Sequence, residues 1–197
     1  MGDKMMKIGI FGLPNGGKSQ FRRWLVKKLR EAGIKAEHWD ADRFKKVRVP
    51  EDADMREPTE EQGVWLIEDV RGTVPYKEVV APGEKEGAWR PLSYYNFIFY
   101  LLPDWPTYAT FWTSRALQWK KMGAGNWMRE SGWEDMADEE VIIRKVQYFL
   151  DGREGWVKAD ENSLSHLSHD FIRPVYIKGQ IEWRDFDFDK LVASLSH

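Results

Sequence analysis

Cysteine is absent from all 197 residues. That excludes disulfides, thiolate metal sites and cysteine nucleophiles, and it fits a reducing cytoplasm. Also missing is any apolar run approaching the roughly 18 residues of a membrane span. The opening Met1-Gly-Asp-Lys-Met-Met-Lys7 leads straight into a short strand-like run, without the long apolar stretch of a secretory signal. A soluble cytoplasmic protein with no membrane partner is expected. An excess of charge is lacking too: 30 basic and 32 acidic side chains leave −2, so no global field draws in a nucleic-acid backbone. Histidine is scarce. His166 and His169 have a metal-like spacing but no carboxylate pattern around them, which reads as a solvated loop.

What is present is an ordinary globular composition, 42% hydrophobic, which argues against wholesale disorder. The length suits one sizeable core better than two, so residues 1–197 are expected to form a single domain. Eleven tryptophans are many for this length, and plates of core and surface explain them better than a base-stacking platform. Strand-like runs cover Met6–Phe11, Ile34–Trp39, Val64–Asp69, Phe97–Leu102 and Arg173–Lys178. Helical periodicity covers Lys18–Ala32, with Phe21, Trp24, Leu25 and Leu29 on one face and Gly33 as the stop. Arg22, Arg23, Lys27 and Lys28 read as its solvated face. A second helix follows the candidate cap Asp104 and carries the stripe Tyr108, Phe111, Trp112, Ala116 and Trp119, read as core. Others are expected from Asp138 to Leu150 and from about Asp187. Residues 74–93 break the alternation and fit an inserted hairpin or an irregular loop. Strands alternating with helices imply an α/β protein with a mostly parallel, five-stranded sheet.

The segment Gly12-Leu13-Pro14-Asn15-Gly16-Gly17-Lys18-Ser19 matches G-x-x-x-x-G-K-[ST] without a gap, between a strand and an amphipathic helix. Glycines let the backbone curl so that successive N–H groups face phosphate oxygens, and the helix aims its positive end at the same anion. Lys18 is then placed for the β- and γ-phosphates and Ser19 for Mg²⁺, with Gln20 completing the nucleotide-binding run. ATP is expected, and GTP stays open.

The first 45 residues resemble the P-loop kinase group of adenylylsulfate kinase, polynucleotide kinase and zeta-toxin-like kinases. The resemblance rests on this loop and on Asp40-Ala-Asp42-Arg43-Phe-Lys45, which is similar to the Asp-Gly-Asp-x-x-Arg stretch of adenylylsulfate kinases, with Ala41 for Gly and Lys45 for Arg. It implies a three-layer P-loop NTPase fold with strand order 2-3-1-4-5. It also implies that Asp40 and Asp42 lie on the acceptor side, where Asp42 orients or deprotonates the acceptor. Arg43 or Lys45 would hold an anionic substrate. The bland alternative for these carboxylates is a helix cap.

Val64-Trp-Leu-Ile-Glu68-Asp69, apolar and then acidic, looks like a Walker B strand, with Asp69 the preferred Mg²⁺ residue and Glu68 the reserve. Asp69-Val-Arg-Gly72 also fits the D-x-x-G element of GTPases, with Thr59 as a switch threonine, although the sequence has no Asn-Lys-x-Asp. Kinases of this group usually close a basic lid over the phosphates. The candidates are Arg115, taken as catalytic, then Lys120 and Lys121, with Arg129, Arg144 and Lys145 behind them. The acidic tip Gly83–Gly87 is a poor lid. The reading is a Mg²⁺-dependent phosphotransferase moving the γ-phosphoryl group of ATP to a small hydroxyl- or phosphate-bearing acceptor. A nucleic-acid 5′ end is a less favoured acceptor, and a nucleotide-dependent switch acting through a protein partner is the alternative.

Overall fold

The structure, a computed structural model, describes residues 5–40, 63–68, 95–122, 139–164 and 170–195. The strand-like runs become β1 (Met6–Gly12), β2 (Ala36–Asp40), β3 (Val64–Glu68), β4 (Phe97–Leu101) and β5 (Asp170–Ile177), joined by β6 (Gln180–Arg184). The helices are α1 (Lys18–Glu31), α2 (Trp105–Met122), α3 (Glu139–Leu164) and α4 (Phe188–Leu195). The sheet runs β2-β3-β1-β4-β5-β6, parallel at every pairing except β5 with β6. Over the described residues the molecule is therefore α/β with a mixed six-stranded sheet, and the first five strands stand in the expected order.

Alternation along the strands sends Ile8, Ile10, Val64, Leu66, Phe99 and Leu101 into one core. On this face they meet Phe21, Leu25, Val26 and Leu29 of α1 and Leu191 of α4. Each such side chain contributes about 1.5–3 kcal/mol when fully buried, so the docking of α1 rests on this stripe rather than on helix propensity. The other set, Phe11, Trp65, Ile67, Ile98 and Tyr100, is also buried. Both faces of the central strands are covered, which is why β3 reads as a continuous apolar run. A third cluster joins Leu13 to Tyr108, Trp112 and Trp119 of α2 and Ile142 of α3, in agreement with the aromatic stripe read as core.

Three expectations need correction. The sheet has six strands, because Lys178 and Gly179, at φ 47° and 84°, form a two-residue turn that returns the chain as β6. The alternation Ile181-x-Trp183 after that glycine was the available signal. The third helix continues well past Leu150, to Leu164, through two glycines. At Gly152 a Cβ would come within 2.7 Å of the Trp156 ring, so glycine here makes room for a neighbour one turn on. Arg22, assigned to a solvated face, is 1% exposed. The region 74–93 lies outside the described residues. No described helix is long and apolar enough to cross a membrane.

Candidate functional site

The site forms where β1 ends and α1 begins, at the carboxyl ends of the parallel strands. Gly12, at φ 139°, lies so close to β4 that a Cβ would sit 2.5 Å from the Leu101 carbonyl oxygen. The chain then turns tightly: Asn15 takes φ 58° and the Gly16 N–H donates to the Leu13 carbonyl at 2.9 Å. Gly17, at φ 92°, is the N-cap of α1 and supplies no side-chain cap. The first intrahelical donor is the Phe21 N–H, bonded to the Gly17 carbonyl at 2.9 Å. The N–H groups of Lys18, Ser19 and Gln20 therefore have no acceptor within the helix, and they form the positive end of its dipole.

Lys18 is buried and folds back on the loop, its Nζ donating to the Gly12 and Leu13 carbonyls at 3.0 and 2.9 Å. One residue on, the Ser19 hydroxyl donates to Glu68 Oε1 at 2.8 Å. Glu68 reaches it because β3 pairs in parallel with β1, with Ile10 opposite Glu68. Its other oxygen, Oε2, lies 3.3 Å from Arg22 Nε, and both side chains are almost wholly buried. From the far side of the loop, α2 brings Arg115, whose Nε and Nη2 both donate to Asn15 Oδ1 at 3.4 Å. Burial pushes the Arg115 guanidinium below the usual arginine value, and the negative charge of Glu68 works against that shift. Phe111, one turn earlier, lays its ring against Gly17, and Tyr108 and Trp112 pack with Leu13. The aromatic helix thus backs the loop while presenting an arginine to it.

The residues from Gly12 to Gln20 and Arg115 therefore come together. Asp40 ends β2 opposite Glu68 and is placed by its backbone alone. Asp42, Arg43, Lys45 and Asp69 lie outside the described residues, as do Thr59, Arg129, His166 and His169. Lys120 is exposed and pairs with Glu139 at 3.0 Å, away from the loop. Among the described residues no group of three or more His, Asp or Glu is arranged to hold a metal ion. The carboxylate that meets Ser19 is Glu68, the reserve in the sequence reading. Arg22 was missed altogether. Its signal was spacing: Leu25, Val26 and Leu29 stand three, four and seven residues on, which places Arg22 in the buried row of α1.

Gly12–Ser19, with Lys18, Arg22 and Arg115 around a single described carboxylate, is a cradle with positive excess, suited to a polyanion. No protein-family model matches the sequence, and no curated protein is significantly similar to it. A solved structure described as "Crystal structure of APE1195" is similar at 18% identity and a TM-score of 0.35, over 79% of this chain and 98% of that one. So loose a likeness bears on neither fold nor function.

Proposed function

We propose that this chain is a P-loop kinase with the three-layer P-loop NTPase fold, a cytoplasmic enzyme that phosphorylates a small acceptor with ATP. The observation that carries the reading is local: a glycine-turned loop opens an uncapped helix, and the serine beside its lysine bonds a buried carboxylate from the adjacent parallel strand. The donor set fits a hard divalent cation, since a hydroxyl and a carboxylate oxygen 2.8 Å apart are the oxygen ligands Mg²⁺ takes. When bound, Mg²⁺ would neutralise phosphate charge, with Ser19 and Glu68, and Asp69 in its expected role, as its residues.

The chain's own part is positioning. The loop N–H groups and the start of α1 bind and orient the phosphates. Lys18 leaves its two carbonyl partners to meet them, so the loop is held closed by the side chain that later neutralises the ligand. Arg115, which meets Asn15 through long contacts, is the cation placed to follow charge onto the transferring group. Asp42 takes the proton of the acceptor hydroxyl as its oxygen attacks the γ-phosphorus and the bond to the β-phosphate oxygen breaks, leaving ADP. For a phosphate acceptor no such proton is needed. In a loose transition state such positioning supplies most of the acceleration.

The test is ADP release across nucleosides, nucleoside monophosphates, adenylylsulfate, sugars and 5′-hydroxyl oligonucleotides, with the product identified by mass. One class should raise ADP formation at least about tenfold over ATP alone, as closure excludes water and favours transfer over hydrolysis. Strict GTP selectivity, with a nucleotide-dependent rearrangement at residues 69–72 and no acceptor effect, would replace this reading with the switch.

A further inference from the structure

We infer that Arg22 is a positioning residue that fixes the Glu68 carboxylate for cation binding beside Ser19. This rests on the P-loop reading and deepens it. Arg22 is 1% exposed and faces Glu68 of β3, 6% exposed, from a buried row of α1 that begins with Lys18 and is apolar after Arg22. Stability gives little reason for a guanidinium there. A buried ion pair roughly repays its own desolvation, so two apolar side chains in place of Arg22 and Glu68 together would serve stability as well, and the guanidinium is called for only because the carboxylate is there. The pairing is also incomplete: Arg22 Nε and Nη1 are both buried without a hydrogen bond, so Nε meets Oε2 as an ion-pair contact, and each such atom carries a cost of about 1–3 kcal/mol that an apolar side chain would not.

What the guanidinium supplies is orientation. Ser19 and Arg22, three residues apart, project from the same side of α1. Ser19 takes Oε1 at 2.8 Å and Arg22 faces Oε2 at 3.3 Å. With Oε1 bonded by the serine and the guanidinium charge set beside Oε2, both from one helix, the carboxylate is biased toward the serine hydroxyl. Mg²⁺ demands near-ideal octahedral geometry, so a pre-set oxygen binds it better than a swinging one. Partners that orient a ligating side chain in this way commonly set metal affinity by 10- to 100-fold.

The experiment titrates Mg²⁺ at constant ATP against the full chain and its R22M, R22K, E68Q and R22M/E68Q variants. The readout is the Mg²⁺ concentration giving half of the nucleotide-dependent rise in unfolding temperature, with ATP binding in EDTA measured beside it. R22M should need at least about tenfold more Mg²⁺ while binding ATP in EDTA like the parent, and R22K should fall between. On the E68Q background R22M should add nothing further, because Arg22 acts through that carboxylate. R22M leaves a buried charge unpaired. If it does not fold, R22K decides the matter, together with the comparison of E68Q and R22M/E68Q. An unchanged Mg²⁺ requirement in the folded Arg22 variants would overturn the inference. So would a lower one, which would make the guanidinium a competitor of the cation. Either result leaves the P-loop reading standing as long as the parent binds ATP. A parent that binds none, with or without Mg²⁺, removes both.

Discussion

Lys18, Arg22 and Glu68 carry charge into the interior, and each does so against a specific partner. Charged side chains seldom disappear from solvent unless paired or put to use, so their meeting at one loop marks the site more sharply than any single residue type. Tyr108 presents a different case. It is fully buried in the α2–α3 cluster, and burial pushes its pKa up to about 12, with the Trp112 indole and the Arg153 charge acting the other way. The folded state thus holds the phenolic proton more tightly than the unfolded chain. The stability tied to that proton is fully present below the unfolded value near 10 and is lost as pH rises from there towards 12. Tyr108→Phe should be at least as stable as the parent at pH 8 and should gain on it above pH 10, by about 1 kcal/mol at pH 11. Denaturant unfolding at the two pH values reads the difference, and parallel behaviour of the two proteins across that range would refute it.

At the scale of elements, α2 matters most to the site, because it alone carries Phe111 to Gly17 and Arg115 to Asn15. Its start is set by Asp104, whose Oδ1 accepts from the Thr107 N–H at 2.9 Å while its carbonyl accepts from Tyr108. Asp187 does the same for α4, accepting from the Lys190 N–H at 2.9 Å. Asp104 was legible as a cap from residue type and position, and Asp187 as the neighbourhood in which the last helix starts. Asp104→Ala should cost about 1 kcal/mol in urea unfolding, the usual loss of an N-cap, with Asp104→Asn or Asp104→Ser recovering most of it. A neutral Asp104→Ala would mean that packing of the aromatic stripe alone starts the helix. The length of α3 was less legible, since two glycines in helical periodicity read locally as a stop. The Trp156 ring, edge-on to Tyr148 and tilted against Phe149, packs with Val157 onto the α2–α3 cluster beyond the glycines, and this contact carries the helix through them.

Across the whole molecule, strand direction separates two regions. The loop lies at the carboxyl ends, backed by α1 on one side and α2 on the other. A cavity of about 280 Å³ lined by Phe97, Phe99, Asp170, Phe186 and Lys190 lies at the amino ends of β4 and β5, remote from Lys18 and Glu68. Since the loop links β1 to α1 and touches β3, β4 and α2, a ligand held there ties together much of the core. At a concentration about 100 times Kd, ATP with Mg²⁺ should add about 2.7 kcal/mol, or about 5–10 °C in Tm for a chain of this size. Lys18→Ala should keep the fold and lose most of that shift. Scanning calorimetry with and without nucleotide measures it, and a full shift in Lys18→Ala would take the lysine out of the binding site.

Much of this was written in local order. Glycines at three positions of the loop, the Lys-Ser pair behind them and the apolar runs on either side depend on neighbours a few residues away, so motif, strand and helix could be read in a line. Strand β3 was legible for the same reason, being short, apolar and closed by an acid. The partnerships across the site depend on contacts far apart in the chain. Glu68 meets Ser19 across 49 residues because β3 lies beside β1, and Arg115 meets Asn15 across 100 because α2 packs over the loop. Arg22 looked like one more surface cation until α1 turned that row onto the sheet. Local propensity and spacing determine which residues could share a site; the register of the parallel strands and the packing of α2 select the ones that do.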